Sequence, residues 1–175
     1  EHSLEVVVPS VDGTVHVLDG ADGAVLWQIH LDSELRVSPA LGDLLGDGSL
    51  EIVLSGMDGR IRTLDGADGG LLWSYRTGGP IMAAPTLGDL DGDGLPDVVT
   101  TSWDDHIYAL EGRDGSILWT SEWNQLPYLG SSSTLSAAPG TYSPSMGDVD
   151  GDGRLEVLLS DDELSVLALD GADGS

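Results

Sequence analysis

The sequence contains no cysteine and no phenylalanine, and all six of its basic residues are arginine. Without cysteine, neither disulfides nor thiol chemistry can contribute. No apolar run approaches the roughly 20 residues that a membrane-spanning helix needs, so we expect no membrane span in this segment. No signal peptide is visible, and the first residue is Glu1, which favours an excised or processed segment.

Positive charge is scarce, and this scarcity restricts the possible partners. The 31 acidic residues outnumber the 6 basic ones and give a formal net charge of −25. Such a field repels phosphate backbones and anionic lipid surfaces, so nucleic acid is not an expected partner. A hydrophobic content of 40% argues against disorder. A chain of this length can bury a sizeable core as one domain.

An internal repeat with a period of 46 residues organises the chain. The hydrophobic block at 4–8 returns at 50–54 and at 96–100. The fourth copy, at 155–159, follows after 59 residues, so the third unit carries an insertion of 13 residues. The tryptophans of the first three units share the same spacing: Trp27, Trp73 and Trp119.

Each unit consists of short apolar runs separated by glycine and aspartate turns, without a helical period. This pattern predicts an all-β fold, a β-propeller in which each blade is a four-stranded antiparallel sheet. The chain reads as one propeller segment, an arc of about four blades whose terminal blades are incomplete. The expected units are a partial blade at 1–36, a blade at 37–82, a blade with an insertion at 83–141, and a partial blade at 142–175.

Proline and tryptophan positions predict where the strands lie in a blade. Proline cannot donate to a β-ladder, so Pro39, Pro85 and Pro144 are expected inside the innermost, edge-forming strand. The tryptophans then fall in the outermost strand, where we expect them to wedge between blades.

Two loops have the pattern of a calcium site. In the nine residues 89–97, acids occupy positions 1, 3, 5 and 9 and glycines occupy positions 4 and 6. Ca²⁺ takes six to eight oxygen ligands, which alternate carboxylates and a backbone carbonyl can supply from a tight turn. The predicted ligands are Asp89, Asp91, Asp93, Asp97 and the Leu95 carbonyl in one loop, and Asp148, Asp150, Asp152, Glu156 and the Arg154 carbonyl in the other.

A weaker copy of this loop occupies residues 43–51. Leu45 stands at the third position, so one oxygen ligand is missing. The candidate ligands that remain are Asp43, Asp47, Ser49 and Glu51. Whether this loop binds calcium stays open between a partial site and an acidic turn.

The sequence resembles two families of propeller repeats. Residues 87–99, Leu-Gly-Asp-Leu-Asp-Gly-Asp-Gly-Leu-Pro-Asp-Val-Val, resemble the FG-GAP repeat of integrin α-subunit propellers and its bacterial VCBS-like relatives. Residues 108–119, which end in Ile-Leu-Trp, are similar to the tryptophan-bearing repeat of pyrroloquinoline-quinone-type propellers. The first resemblance implies calcium loops that stabilise the ring and lie away from the ligand-binding face.

Aromatic residues mark a candidate ligand site on the calcium-free face. Trp103 and His106 lie in the turn between the second and third strands of unit three. The insertion begins near Trp123 and Tyr128 and is expected on the same face. Exposed aromatics beside acids suit stacking on a sugar ring or anchoring a partner side chain. The alternative is that these residues merely pack the insertion against its own blade.

The leading functional hypothesis is a calcium-stabilised extracellular or cell-surface propeller that binds a protein or glycan, as in adhesion, within a larger propeller. It is not expected to be an enzyme. The alternatives are a propeller enzyme, either a quinone-dependent dehydrogenase or a polysaccharide lyase, and a purely structural scaffold. The four histidines share no repeat position and form no metal or catalytic set.

Overall fold

A computed structural model describes residues 4–123, 142–160 and 166–175, and in these ranges regular structure consists of short strands. No helix in the described ranges is long and apolar enough to cross a membrane. The strands are β1 (Glu5–Pro9), β2 (Thr14–Asp19), β3 (Val25–His30), β4 (Ala40–Gly42), β5 (Glu51–Ser55), β6 (Arg60–Asp65), β7 (Leu71–Arg76), β8 (Thr86–Gly88), β9 (Asp97–Ser102), β10 (His106–Leu110), β11 (Ile117–Glu122), β12 (Ser145–Gly147), β13 (Glu156–Ser160) and β14 (Val166–Asp170).

These strands form four antiparallel sheets, each built from neighbours in sequence. The described sheets are β1–β2–β3, β4–β5–β6–β7, β8–β9–β10–β11 and β12–β13–β14, and we call them blades one to four. Blade one lacks an innermost strand and blade four lacks an outermost one within the described residues. The predicted all-β propeller arc with incomplete terminal blades is confirmed.

The prolines lie just outside the strands in which they were expected. Innermost strands β4, β8 and β12 begin at Ala40, Thr86 and Ser145, each one residue after a proline. Proline has no backbone N–H to donate, so pairing starts only after it. The innermost strands are therefore only three residues long.

A tryptophan in each complete outer strand fastens one blade to the next. The indole Nε1 of Trp27 donates a hydrogen bond to the Gly66 carbonyl at 2.9 Å, and that of Trp73 donates to Gly112 at 2.8 Å. Trp119 makes the same bond in blade three, where its acceptor lies in the turn before Ser175. Because the acceptor belongs to the following blade every time, the predicted role of the tryptophans between blades is confirmed.

Glycine provides the surface on which each indole rests. Gly115 has a φ of +72°, and a Cβ placed there would lie 2.5 Å from the Trp73 ring. Gly69 stands in the same relation to Trp27, with a Cβ distance of 2.7 Å. Both turns therefore need glycine for two reasons, the left-handed backbone and the absence of a side chain.

The hydrophobic core is divided into three clusters, and each lies between two consecutive blades. Val53 and Trp73 of blade two, for example, pack with Val98 and Leu110 of blade three. Stability therefore resides in the interfaces between blades, as in other repeat proteins.

The interface between blades two and three contains unpaired buried hydroxyls. The hydroxyl oxygens of Ser55, Thr63 and Thr100 are buried without a hydrogen-bond partner among the described residues. Side chains two residues apart on a strand share a face, so Ser55 faces this interface with Val53, and Thr100 faces it with Val98. Thr63 is also on this face, because it pairs with Val53 and with Trp73 across the sheet.

Hydroxyls stand at this interface at positions where the preceding repeat has apolar side chains. One repeat earlier, the positions of Ser55, Thr63 and Thr100 are occupied by Pro9, Val17 and Leu54. An unpaired buried hydroxyl costs about 1–3 kcal/mol, so this layer weakens the joint between blades two and three.

Replacing Gly115 by alanine should destabilise the protein more than the same change at Gly23. Gly23 has a φ of +73°, but no atom lies within 4 Å of the position that a Cβ would take there, whereas Gly115 lies under Trp73. Both variants carry the left-handed strain of roughly 1–2 kcal/mol. Only Gly115→Ala adds overpacking, which typically costs about 1–3 kcal/mol. Equal losses of unfolding free energy in the two variants, measured by urea denaturation, would show that the packing of the Trp73 indole does not require glycine at position 115.

Replacing Thr63 or Thr100 by valine should stabilise the protein. Valine keeps the side-chain shape and removes a hydroxyl that has no partner among the described residues. The expected gain is about 1 kcal/mol for each site. Thr101→Val is the control. The Thr101 hydroxyl donates a hydrogen bond to the Tyr142 carbonyl oxygen at 3.0 Å, so its removal should destabilise the protein. Thermal melts that show a loss for all three variants would contradict this expectation.

Candidate functional site

The connections between strands lie on two opposite faces of the arc. The loop face carries the acidic loops 43–51, 89–97 and 148–156 together with the Asp-Gly turns at 19–23, 65–69, 111–115 and 170–174. The tip face carries the turns at 10–13, 56–59 and 103–105 and the links from one blade to the next. Contacts support this division: Gly112 of a turn donates to Asp97 of a loop, and Ser33 of a link bonds Asp58 of a tip.

The loop at 89–97 is closed by its own carboxylates. The two oxygens of Asp89 accept hydrogen bonds from the backbone N–H groups of Gly92, at 2.7 Å, and Gly94, at 3.0 Å. Gly92 and Gly94 have φ values of 83° and 91°, which carry the chain around the Asp89 side chain. The glycines at positions 4 and 6 of the loop therefore supply the left-handed backbone that this closure requires.

Three of the four predicted carboxylates in this loop converge. Asp89, Asp91 and Asp97 each offer an oxygen, and the three oxygens lie within 4.8 Å of one another. Asp93 is not part of that cluster, and its Oδ1 accepts a hydrogen bond from Leu95 N at 2.8 Å. The cluster matches the oxygen-rich donor set that Ca²⁺ prefers.

The loop at 148–156 repeats the arrangement. Asp148, Asp150 and Glu156 place oxygens within the same 4.8 Å. Asp152 again stands apart and accepts from Arg154 N at 2.8 Å. The fit to a divalent cation rests on three carboxylates in each loop, and the carbonyls of Leu95 and Arg154 remain predicted ligands.

The loop at 43–51 adopts the same closure without the third acid. Asp43 accepts from Gly46 N at 2.7 Å and from Gly48 N at 2.9 Å, and Glu51 accepts from Leu44 N at 2.7 Å. Asp47 accepts from Ser49 N at 2.8 Å. Among the described residues this loop contributes no group of three converging acids. Its conformation is therefore set by backbone hydrogen bonds to carboxylates, which all three loops share.

The last acid of each loop begins the second strand of a blade, and in the loops at 43–51 and 89–97 this acid is buried. Asp97 is 1% exposed, and its carboxylate accepts from Leu90 N at 2.9 Å. Burial raises the pKa of Asp97 to about 6, against the lowering effect of its hydrogen bonds. Burial likewise raises the pKa of Glu51. These acids link loop to strand at an electrostatic cost that a bound cation would offset.

On the tip face, Trp103 is an exposed aromatic residue. Its side chain is 41% exposed. Asp105, two residues later in the same turn, has a φ of 65°, a left-handed conformation that non-glycine residues rarely adopt. His106 Nδ1 lies 2.7 Å from the Asp104 carbonyl oxygen, so the ring is held close to this turn.

Asp104 fixes the turn beneath Trp103. Its Oδ2 accepts a hydrogen bond from the hydroxyl of Tyr108 at 2.6 Å and another from Gly78 N in the link from blade two. Burial, followed by the bond to Asp104, raises the pKa of Tyr108, so the phenol stays protonated and continues to donate. The turn is thereby braced against the preceding blade, which is what an exposed anchor residue requires.

One predicted ligand residue occupies a different environment. Trp123 is 3% exposed and packs in the cluster between blades three and four, and its backbone N–H donates to the Asp105 carbonyl at 2.8 Å. The expectation of an exposed Trp123 is wrong, because its ring packs in the hydrophobic core at the end of β11. Tyr128 and the insertion up to residue 141 lie outside the described residues.

The acids that brace the tips were missed in the sequence, although the repeat contained the signal. Asp58 and Asp104 are 46 residues apart, and so are the side chains that donate to them, Arg62 and Tyr108. The donors differ in type, so a search for identical residues passes over the pair. A search for complementary residues at repeat spacing would have found it.

Comparison with protein families identifies one match. A family model described as outer membrane protein assembly factor BamB matches residues 11–175. No curated protein matches the sequence closely enough to count as a relative. The family match supports the expected likeness to pyrroloquinoline-quinone-type propeller repeats, whereas the likeness to FG-GAP and VCBS repeats remains a prediction.

Solved structures share the fold at low sequence identity. BamB from Moraxella catarrhalis superposes with a TM-score of 0.70 at 18% identity, over 100% of this chain and 44% of that protein. The computationally designed protein Ika8 gives a TM-score of 0.68 at 18% identity, over 100% of this chain and 45% of its own. Ika4, also designed, gives 0.65 at 17% identity, over 96% and 86%. The chain thus spans less than half of the natural propeller that it resembles.

Proposed function

This chain belongs to the family described as outer membrane protein assembly factor BamB, and from that membership we propose that it is a protein-docking part of a larger propeller. The observation that carries the proposal is the braced tip of blade three. Trp103 is exposed on a turn whose Asp104 is bonded to two blades. A rigidly held tryptophan is a frequent anchor of protein interfaces.

The tip face suits docking better than the loop face does for two physical reasons. Acidic loops and Asp-Gly turns crowd the loop face, so most protein surfaces of negative net charge are repelled there. Arg36 lies in a link, and Arg60, Arg62 and Arg76 lie in strands β6 and β7 near the tip face, so that side is closer to neutral. We favour a protein over a glycan partner, because the family description names an assembly factor.

The same description guides the proposed location. An outer membrane assembly factor works in the cell envelope, outside the cytoplasm, and we place this chain there rather than assigning it to adhesion at the cell surface. We also propose that it is not an enzyme. The quinone-dependent dehydrogenase and polysaccharide lyase alternatives are favoured by no specific arrangement among the described residues.

We further propose that the loop face binds calcium at two sites. The converging carboxylates of each complete loop, with the neighbouring backbone carbonyl, would hold the ion. The donor set is all oxygen and carries three negative charges per cluster. The ion would neutralise the repulsion within each cluster and tie the loop to the first residue of the following strand.

Replacing Trp103 by alanine should weaken partner binding without unfolding the protein. Loss of a hot-spot tryptophan typically costs 2 kcal/mol or more, roughly a 30-fold weaker affinity. The matched control is Leu71→Ala, an exposed side chain next to the loop face on outer strand β7. The measurement is capture from an envelope extract by each immobilised variant, with the bound proteins identified by mass spectrometry and the melting midpoint recorded in parallel. Equal capture by both variants would place the docking surface elsewhere.

Removing calcium should lower the thermal midpoint. An ion that binds only the folded state contributes about 2.7 kcal/mol per site at a hundredfold excess over Kd. The chelator-induced shift should shrink in Asp91→Asn, because Asp91 belongs to a converging cluster. Asp47→Asn changes the charge equally in the loop that lacks such a cluster and should leave the shift intact. An unchanged midpoint in the wild-type protein with chelator would remove the calcium proposal.

A further inference from the structure

Two arginines stand directly opposite each other where the outer hairpin of blade two reaches the tip face. Arg60 begins β6 and Arg76 ends β7, and the antiparallel register pairs them. Side chains in such a pair have Cβ atoms about 4.5–5.5 Å apart, and like charges at that separation are destabilising. The pairing of Arg60 with Arg76 therefore contributes nothing favourable to the stability of the sheet.

The neighbouring acid does not neutralise this pair. Asp58 lies 3.8 Å from Arg60 Nε, but both of its oxygens are already bonded by the guanidinium of Arg62. Arg62 is nearly buried, at 11% side-chain exposure, whereas the Arg60 side chain is 38% exposed. Within the described residues, Arg76 forms no ion pair and no side-chain hydrogen bond. Asp58 is thus shared by the guanidinium groups of Arg60 and Arg62, and no described acid forms an ion pair with Arg76.

The equivalent positions in the neighbouring blades hold compatible pairs. In blade one Thr14 faces His30, with its Oγ1 3.4 Å from the His30 Nδ1. In blade three His106 faces Glu122. The like-charged pair is therefore a departure from the repeat, and it uses two of the six basic residues in a chain of net charge −25.

The chemistry of the pair points to a carboxylate ligand. A guanidinium presents a planar fork of donors that binds a carboxylate through two hydrogen bonds, and it stays charged at any physiological pH. Two such forks side by side match two acidic side chains of one extended segment. Acidic residues elsewhere on the surface would repel that segment, so the pair also orients the partner.

We propose that Arg60 and Arg76 form a docking patch that receives an acidic segment of a protein partner. This inference rests on the proposed function, since it specifies which chemistry the partner brings to the tip face. The patch supplies charge and direction, while Trp103 on the neighbouring blade supplies apolar contact area. The like-charge repulsion is relieved when the carboxylates are bound.

The test uses a tetraglutamate peptide as the probe and the whole chain labelled with ¹⁵N. Titration at low ionic strength should shift the Nε–Hε signals of Arg60 and Arg76 saturably. Arg76→Gln should weaken the affinity about tenfold, the usual effect of losing a charge-assisted pair of hydrogen bonds. Arg113→Gln is the matched control, because Arg113 is an exposed arginine on the loop face and its loss changes the net charge by the same amount.

A second variant separates recognition from stability. Arg76→Glu places an acid opposite Arg60, as in the His106–Glu122 pair of blade three. It should abolish peptide binding and raise the thermal midpoint, since repulsion across the strands becomes attraction. A lowered midpoint would show that Arg76 stabilises the blade and would overturn the proposal. Absence of a saturable shift, or equal weakening by Arg76→Gln and Arg113→Gln, would overturn it as well.

These results are distinguishable from a failure of the proposed function. If the peptide does not bind but capture still depends on Trp103, the docking module stands and the arginine patch is wrong. If the peptide binds at the two arginines but capture does not depend on Trp103, the patch stands and the proposed anchor is wrong.

Discussion

The hydrogen bond from each outer-strand indole to a carbonyl of the next blade is the interaction on which this architecture depends. Each blade alone is a small sheet whose two apolar faces cannot be covered by its own residues. Trp73 covers part of one face and at the same time bonds to Gly112, so that packing and orientation are set by one side chain. The glycine at 115 permits the close approach, which explains why its turn has the Asp-Gly sequence found in the other blades.

The described blades are joined by the same indole hydrogen bond, and this allows the loops and turns to differ between blades. In all three acidic loops the first acid accepts a hydrogen bond from the N–H of the glycine three residues later, although one of these loops has Leu45 where the others have an acid. The tip-face turns vary much more: Asp58 is braced by Arg62, and Asp104 is braced by Tyr108. Because the indole bonds between blades do not involve the tips, the exposed tip positions are available for recognition. The exposed Trp103 and the paired arginines of blade two are both departures of this kind.

The interfaces between blades also differ in polarity. Hydroxyls at Ser55, Thr63 and Thr100 make the joint between blades two and three less apolar than the corresponding positions one repeat earlier. The same joint carries the hydrogen bond from Gly78 N to Asp104 and the contact between Tyr75 and Tyr108, whose ring centroids are 5.7 Å apart. Directional bonds thus replace part of the hydrophobic contact beside the proposed docking turn, and such bonds favour one arrangement over alternatives.

The sequence by itself determined the repeat, the number and order of strands and the two-faced arrangement of their connections, because strand periodicity, glycine turns and a fixed spacing are local properties of the chain. It also located the acidic loops, whose closure depends on residues within nine positions of one another. The tertiary structure alone decided which aromatic residues are available. Trp103 and Trp123 look alike in the sequence, yet one is exposed on a turn and the other is buried between blades. It also decided that Asp91 joins a cluster of carboxylates while Asp93 does not, and that Arg60 meets Arg76. Burial and pairing of this kind are set by contacts between distant segments, which no local pattern records.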